Sequence, residues 1–337
     1  MSRIAVLGAG ANGGAIAADL LDAGLDVTLI EQWPEHVETI RREGLTVVEP
    51  ERTRTVAARA WHLCDLAGAR ERFDVVLLVV KAYDTRWACA AVRSVLADDG
   101  VVVAIQNGMT LDAVDDLVGP ERSLGCVIEI ASGLFEPGSV VRQTPAAGTW
   151  FALGGWHPVA HARAAAVAEI LAPAGRVEVR DDIAAAKWTK LVANAAELVT
   201  SAILDLPLAQ AARIDGMLEV MRANGREAAR AGIAAGHRLA PIFGLREPDP
   251  DPDRYASALL DIVLADYSMP DTLTTVLQDW RKGRRAEIDE IHGTVVRTGT
   301  RHGVPVSANR RTWELARRIE AGQEHPGLQH LRTLGVD

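Results

Sequence analysis

The first half of the chain alternates short apolar runs with segments of helical periodicity. Four of these runs are dominated by Val, Leu, Ile and Ala and cover residues 4–7, 27–30, 75–80 and 101–105. Nearly unbroken apolar runs of this length are typical of strands that are buried on both faces. They predict a parallel sheet covered by helices, and residues 45–48 and 53–57 are predicted as further strands.

Residues 123–153 alternate apolar and polar positions and contain the turn sequence Glu136-Pro137-Gly138. This pattern predicts an antiparallel extension of the sheet. Residues 160–171 are predicted as a helix and residues 177–179 as a short strand.

From residue 181 onward, long helical patterns replace the strand patterns, at residues 183–203, 209–235, 254–267 and 281–301. The prolines within residues 247–253 predict an acidic loop among these helices. We therefore predict an α/β fold with two domains. The domain with the sheet is expected over residues 1–181, and an all-helical domain over residues 182–337.

The first apolar run leads directly into Gly8-Ala9-Gly10-Ala11-Asn12-Gly13. In a dinucleotide site the first glycine permits a tight turn, the second lets a pyrophosphate approach the backbone, and the third lets the helix pack closely. Gly8, Gly10 and Gly13 fit these three positions, and Ala11 and Asn12 supply N–H groups at the helix start. A glycine-rich helix start also arises for packing alone, but the preceding strand and the following helix favour the cofactor site.

Glu31 ends the second apolar run, where the adenosine ribose of a dinucleotide is expected. A carboxylate accepts hydrogen bonds from the ribose hydroxyls and repels a phosphate on the ribose. The predicted cofactor is therefore NAD, with NADP disfavoured. The alternative is that Glu31 is a solvated residue at a strand end.

The composition limits the partners of this chain of 337 residues. Its formal net charge of -9 argues against binding to nucleic acid, which needs a concentrated basic surface. Cys64, Cys89 and Cys126 lack the spacing of metal ligands, and no histidine pair suited to a metal is present, so no metal site is predicted. No apolar run is long enough to span a bilayer and no signal sequence is recognised, so we expect a cytoplasmic protein without membrane association.

Four blocks along the chain carry residues suited to chemistry. Two of them follow buried strands, at residues 80–85 with Lys81 and at Gln106-Asn107-Gly108. Strand ends of this kind open onto the cofactor crevice of a doubly wound sheet. The other two blocks lie in the helical half, at residues 188–194 and 279–289.

These blocks, in this order behind the glycine fingerprint, resemble the ketopantoate reductase family, the 2-dehydropantoate 2-reductases. The resemblance covers residues 1–322. It implies a Rossmann dinucleotide-binding domain, here residues 1–181, followed by an all-helical domain for substrate binding and dimerisation, here residues 182–337. It implies that Lys190 is the catalytic lysine that gives a proton to the substrate carbonyl. A positioned proton donor contributes typically 10²–10⁴-fold to rate.

The resemblance also assigns the remaining candidate residues. Asn107 matches an asparagine between nicotinamide and substrate, and Glu287 matches a glutamate that contacts the substrate. Lys81 matches a lysine that contacts the cofactor. Asn194 matches a substrate-binding asparagine, and Thr275 replaces a substrate-binding serine. The structural alternative is a solvated helix residue for Lys190, Asn194 and Glu287, and a strand cap for Lys81.

The chain departs from the family pattern where the substrate is expected. Leu198 stands in place of a second asparagine. Leu208 lies in the region where another asparagine is expected, and Thr272 replaces a further one. The pocket is therefore predicted to be more apolar. The favoured function is an NAD-preferring dehydrogenase that interconverts a 2-hydroxy acid, or a related secondary alcohol, and its ketone.

Two alternatives to this function stay open. One is a true 2-dehydropantoate 2-reductase that converts ketopantoate to pantoate with NADPH in pantothenate biosynthesis. The other is a non-catalytic protein that senses a dinucleotide. In either enzyme the partner is a small-molecule substrate, and a homodimer is possible.

Glu197 belongs to none of the family's motifs. It follows Lys190 by seven residues and so lies within about 20° of the same helix face. We predict that it contacts a distal polar group of the substrate. The alternative is a surface ion pair with an arginine such as Arg213.

Overall fold

The computed structural model describes residues 2–245 and 248–336. Contacts along the chain divide it into two compact units. The first contains the chain up to Gln106 together with Thr110–Ile183. The second contains Asn107–Met109 and the chain from Ala184 onward.

The first unit contains twelve strands. They are β1 (Arg3–Leu7), β2 (Asp26–Glu31), β3 (Leu45–Val48), β4 (Thr53–Val56), β5 (Arg59–His62), β6 (Phe73–Leu78), β7 (Leu96–Ile105), β8 (Ser123–Glu129), β9 (Ser132–Glu136), β10 (Ser139–Arg142), β11 (Trp150–Gly154) and β12 (Arg176–Val179). Six helices lie between them: α1 (Ala11–Asp22), α2 (Pro34–Glu43), α3 (Thr85–Val92), α4 (Leu111–Val118), α5 (Pro158–His161) and α6 (Ala164–Leu171).

Eight of the strands form one sheet in the order β12-β11-β8-β7-β6-β1-β2-β5. All neighbouring pairs are parallel except β11 and β8, which are antiparallel. The four apolar runs became β1, β2, β6 and β7, so the predicted parallel sheet is confirmed. These strands are buried because helices cover the sheet, which is what their composition required.

The remaining strands form a separate sheet in the order β4-β3-β10-β9. Residues 45–48 and 53–57 are strands as predicted, but they belong to this second sheet. The predicted antiparallel extension of the main sheet is correct only for β11. The turn predicted at residues 136–138 is confirmed, and Gly138 adopts a φ of 73° there, a value that favours glycine.

The second unit is helical. Its helices are α7 (Ile183–Ile203), α8 (Leu208–Ala211), α9 (Met217–Ala234), α10 (Pro252–Ile262), α11 (Thr275–Arg281), α12 (Thr294–Arg301), α13 (Ser307–Glu320) and α14 (Leu331–Leu334). Two π-helical turns, Val263–Tyr267 and Asp289–Gly293, follow α10 and precede α12. Within the part of the chain that is described, no helix is both long and apolar enough to cross a membrane.

Three predictions for this unit need correction. The helix predicted at residues 209–235 is interrupted before Gly216, which caps α9 with a φ of 82°. The helix predicted at residues 281–301 is wrong in its first part, because α11 ends at Arg281. The predicted loop at residues 247–253 is too long, since Asp251 caps α10 and Pro252 takes its first position, where proline is tolerated. Glu247 of that loop lies outside the described residues.

Candidate functional site

The glycine fingerprint forms the turn between β1 and α1. Gly8 has a φ of 93°, and a side chain there would lie 2.8 Å from the Val79 carbonyl oxygen. A side chain at Gly13 would lie 2.0 Å from the Gly8 carbonyl oxygen. Gly10 differs, because a Cβ there would meet no atom within 4 Å. Gly8 and Gly13 therefore allow close packing, whereas Gly10 leaves open space at the start of α1.

The first turn of α1 offers its N–H groups to that space. Gly10 is the N-cap residue and provides no capping side chain. The side chain of Asn12 is turned to the second sheet, where its Oδ1 accepts a hydrogen bond of 2.5 Å from Ser132 Oγ. Ala11 and Asn12 thus present backbone groups, and a helix N-terminus of this kind suits a phosphate.

His36 holds the glycine turn between β1 and α1 through a side-chain hydrogen bond, a role that the sequence did not indicate. The residue is fully buried, and its Nε2 lies 3.0 Å from the carbonyl oxygen of Ala9. Its Nδ1 accepts a hydrogen bond of 2.8 Å from the Gly138 N–H. Burial lowers the pKa of His36. The neutral ring satisfies both contacts, because Nε2–H donates while Nδ1 accepts.

Glu31 ends β2 with a side chain that the following backbone holds in place. Its Oε1 accepts hydrogen bonds from the N–H groups of Gln32, at 2.8 Å, and Trp33, at 3.2 Å. Oε2 makes no hydrogen bond to the residues that are described. One oxygen of the oriented carboxylate is thus suited to accept a ligand hydroxyl.

Lys81 follows β6 at the start of a 3-10 turn. Its carbonyl oxygen and that of Val80 accept hydrogen bonds from Nε2 of Gln106, at 3.3 and 3.0 Å. Gln106 thereby fixes the backbone that carries Lys81. The Gln106-Asn107-Gly108 block divides between the units, since Asn107 and Gly108 group with the helices.

In the helical unit three predicted site residues form one hydrogen-bonded chain. Asn107 Nδ2 donates to Glu287 Oε2 at 3.1 Å. Asn194 Nδ2 donates to Asn107 Oδ1, also at 3.1 Å. All three side chains come from distant parts of the sequence, and the resemblance alone had grouped them.

These two hydrogen bonds determine which side-chain atom of Asn194 is left for a ligand. A carboxylate accepts hydrogen bonds, so the Asn107 amide directs its Nδ2 to Glu287 and its Oδ1 to Asn194. Asn194 donates its Nδ2–H to that oxygen, which leaves its own Oδ1 buried and without a partner among the residues that the structure covers. Asn194 is 1% exposed. A buried acceptor without a donor is costly, so a ligand that donates a hydrogen bond fits here.

Lys190 lies one helical turn before Asn194 on α7 and is 9% exposed. Its Nζ lies 4.6 Å from the centroid of the Phe243 ring. Phe243 was not identified from the sequence, because it lies in an irregular segment that no motif marks.

The start of α11 adds a second unpaired polar atom. Thr275 Oγ1 is buried and makes no hydrogen bond to the described part of the chain. The neighbouring Thr274 donates from its hydroxyl to the carbonyl oxygen of Leu198 at 3.0 Å. This bond links the start of α11 to α7 at the position where the family's amide is replaced by leucine. Leu198 is buried, and the more apolar substrate pocket stays a prediction.

Glu197 is buried on α7, so a surface ion pair does not describe it. Its contact with a substrate stays a prediction. Among residues 2–245 and 248–336, no group of three or more His, Cys, Asp or Glu side chains is arranged to hold a metal ion.

Comparison with known families agrees with this arrangement. The family model described as "Ketopantoate reductase PanE/ApbA" matches residues 4–155. The model described as "Ketopantoate reductase PanE/ApbA C terminal" matches residues 182–320. The chain is 30% identical over 319 residues to the 2-dehydropantoate 2-reductase of Mesorhizobium japonicum, covering 88% of this chain and 91% of the relative. It is 27% identical to the Archaeoglobus fulgidus enzyme of that name, covering 96% and 99%.

Solved structures show the same likeness. A PanE/ApbA family ketopantoate reductase from Ralstonia eutropha superimposes with a TM-score of 0.81 at 30% identity, covering 96% of this chain and all of that one. A D-mandelate dehydrogenase in complex with NADH and anilino(oxo)acetate gives a TM-score of 0.84 at 22% identity, covering 95% and 99%, and supports the fold alone. The chain belongs to the ketopantoate reductase family and is an NAD(P)-dependent oxidoreductase that acts on a CH–OH group.

Proposed function

We propose that the protein reduces a 2-keto acid to its 2-hydroxy acid, with ketopantoate as substrate. The names of the curated relatives support this alternative over the apolar substrate that we favoured from the sequence. The observation that carries the proposal is the hydrogen-bonded chain Glu287–Asn107–Asn194, which ends in a buried acceptor.

The first unit fits a nicotinamide dinucleotide. The open space over Gly10 and the uncapped start of α1 suit its pyrophosphate, and Oε2 of Glu31 suits the adenosine ribose. Lys81 is the family's cofactor-contacting lysine. When bound, the nicotinamide supplies the hydride.

Lys190 supplies the proton. Negative charge develops on the carbonyl oxygen during reduction, and an ammonium group at that oxygen stabilises the charge and donates a proton to it. The hydrogen bonds of Asn107 and Glu287 hold the Asn194 side chain in one orientation, so the substrate meets a preset pattern of donors and acceptors.

The buried acceptor favours ketopantoate among 2-keto acids. Its hydroxymethyl group carries an O–H that can donate to Asn194 Oδ1. The hydroxyl of Thr275 offers a second polar partner for the same substrate. A keto acid with an apolar tail leaves the Asn194 oxygen unpaired, at a cost of about 1–3 kcal/mol.

Leu198 favours a second candidate, an NAD-linked dehydrogenase for 2-hydroxy acids with an apolar or aromatic tail. Its side chain is buried where the family has an amide. One structural neighbour is a D-mandelate dehydrogenase that was solved with anilino(oxo)acetate, a carboxylate with an aromatic ring.

Steady-state turnover with three keto acids distinguishes the two candidates. We expect ketopantoate to exceed trimethylpyruvate, which lacks only the hydroxyl, by roughly 5- to 150-fold in kcat/KM, because one buried hydrogen bond is lost. In Asn194→Leu this ratio should fall towards one. A preference of the native protein for trimethylpyruvate or phenylglyoxylate would establish the apolar candidate instead.

Glu31 leads to a prediction about the cofactor. We expect NADH to bind about tenfold or more tightly than NADPH, since like charges a few Å apart near a surface repel by about 1–4 kcal/mol. Glu31→Ala should narrow this difference. The dissociation constants can be measured by nicotinamide fluorescence without turnover.

Glu35→Ala is the matched control, because Glu35 is an exposed carboxylate in the first turn of α2. It should leave the ratio of the two constants unchanged. Equal affinity of the native protein for both cofactors would refute the role of Glu31.

A further inference from the structure

Phe243 occupies a backbone position that does not favour it. The N–H of Leu245 donates to the carbonyl oxygen of Ile242 at 3.0 Å, which closes a four-residue turn. The two central residues, Phe243 and Gly244, have φ values of 55° and 83°. Such turns favour Gly, Asn or Asp at both centres, and a bulky side chain there is strained. An aromatic residue at this point therefore contributes something that outweighs the strain.

The contacts of the ring indicate what that contribution is. Phe243 is 6% exposed, and its ring centroid lies 4.6 Å from Lys190 Nζ. The Tyr267 ring packs on it at 5.2 Å between centroids, tilted by 49°. Tyr267 ends the π-helical turn Val263–Tyr267, and π-turns are rare features that are frequently found at functional sites. Two irregular segments thus place Phe243 against the lysine and Tyr267 against Phe243.

We propose that Phe243 is a positioning residue for Lys190, whose ring holds the ammonium group in place and favours its protonated form. The inference rests on the proposed role of Lys190 as proton donor. Burial removes water from an ammonium group and disfavours its charge. The negative face of an aromatic ring offsets part of that loss and attracts the cation along one direction. The lysine thereby stays charged and aimed until the substrate carbonyl arrives.

The composition makes this proposal directly measurable. The chain contains only four lysines, namely Lys81, Lys187, Lys190 and Lys282. In protein labelled with ¹³C-lysine, the side-chain signals titrate separately, and the variant Lys190→Arg identifies the signal of Lys190. The free protein suffices, so the measurement needs neither cofactor nor turnover.

The decisive series replaces Phe243 by phenylalanines of increasing fluorination, which keep the ring's shape and weaken its negative face. We expect the pKa of Lys190 to fall stepwise, by about 0.5 to 1.5 units over the series. In the pH profile of kcat, the high-pH limb reflects loss of the Lys190 proton and should move with the pKa measured by NMR. The low-pH limb should not move. An unchanged pKa of Lys190 across the series would overturn the proposal.

The other titratable groups near this turn of α7 stay the same throughout the series. Lys187 and Glu197 lie on α7 itself, Glu287 approaches through the Asn107–Asn194 chain, and Tyr267 packs behind Phe243. A stepwise shift in the pKa of Lys190 is therefore caused by the change in the Phe243 ring and not by these groups.

Two conventional variants separate positioning from a structural role. Phe243→Tyr keeps the ring and should retain the kcat and the Lys190 pKa. Phe243→Leu keeps apolar bulk without the ring, and should lower kcat and the Lys190 pKa with little change in KM. If Phe243→Leu changes only thermal stability, the residue is structural and the proposal is wrong.

Failure of this inference is distinguishable from failure of the proposed function. If the native protein reduces ketopantoate while fluorination leaves Lys190 unchanged, the function stands and the inference falls. If no keto acid is reduced while the pKa of Lys190 follows the fluorination, the role of the ring stands and the proposed function falls.

Discussion

Replacing Lys190 by alanine is expected to lower kcat by about 100-fold or more, because the substrate carbonyl loses its proton donor. The affinity for NADH should stay within about twofold, since the glycine turn and Glu31 belong to the other unit. Binding of NADH can be followed by fluorescence and turnover by nicotinamide absorbance. Small alkylammonium ions should restore part of the lost rate.

Lys282→Ala is the control for this substitution, because it removes a partly exposed lysine from the same unit. It should leave kcat nearly native. If Lys190→Ala retains near-native turnover, Lys190 has no part in the reaction.

Acid is expected to destabilise the helical unit through His292. This residue is fully buried in the π-turn that follows Glu287. Its Nδ1 lies 2.8 Å from Asn309 Oδ1, and its Nε2 has no hydrogen-bond partner in the part of the chain described. Burial therefore lowers the pKa of His292 from 6.5 to about 4. Protonation would place an unsatisfied N–H and a charge in an apolar site.

The direction of the pH dependence follows from this lowered value. In the unfolded chain His292 binds a proton near pH 6.5, and in the folded chain only near pH 4. Its contribution to stability is therefore complete above pH 6.5 and is lost as the pH falls towards 4. The full effect is about 3 kcal/mol, at about 1.4 kcal/mol per pH unit.

Urea unfolding of the native protein and of His292→Gln measures this effect. Glutamine keeps a donor for Asn309 and does not titrate. Between pH 7.5 and pH 5 the native protein should lose about 2 kcal/mol more unfolding free energy than the variant. His36, also buried with a lowered pKa, is present in both proteins and cancels in the difference. Parallel pH profiles for the two proteins would refute the assignment to His292.

The cofactor-binding part of the fold was predictable because its signals are local. A strand buried on both faces needs an unbroken apolar run, and β1, β2, β6 and β7 have one. The spacing of Gly8, Gly10 and Gly13 predicts the turn between β1 and α1 without reference to any distant residue. In the structure Gly8 and Gly13 are required by close packing, whereas Gly10 faces open space at the start of α1.

The second sheet was not predictable, because alternation identifies a strand without naming its partner. β3 pairs in parallel with β10, more than ninety residues later in the chain. Helix ends in the second unit failed for a related reason. The break before Gly216 and the break after Arg281 are not marked by the hydrophobic periodicity of the sequence.

The candidate site shows the same division. The sequence alone marked the blocks that contain Lys190, Asn107 and Glu287, but only the family resemblance grouped these residues into one site. Periodicity cannot group Asn107 and Glu287, because they are 180 residues apart. His36 and Phe243 carry no sequence signal, because their importance comes from tertiary contacts with Ala9 and Lys190.

The central claim, hydride transfer to a 2-keto acid, is tested most directly by following the hydrogen itself. The native protein is incubated with ketopantoate and NADH that carries deuterium at the transferable position of the nicotinamide, and the product is analysed by mass spectrometry and NMR. We expect pantoate with deuterium on the carbon that bears the new hydroxyl, and no such product with Lys190→Ala on the same time scale. Oxidation of NADH without deuterium at that carbon, or no reaction with ketopantoate, trimethylpyruvate or phenylglyoxylate, would contradict the claim.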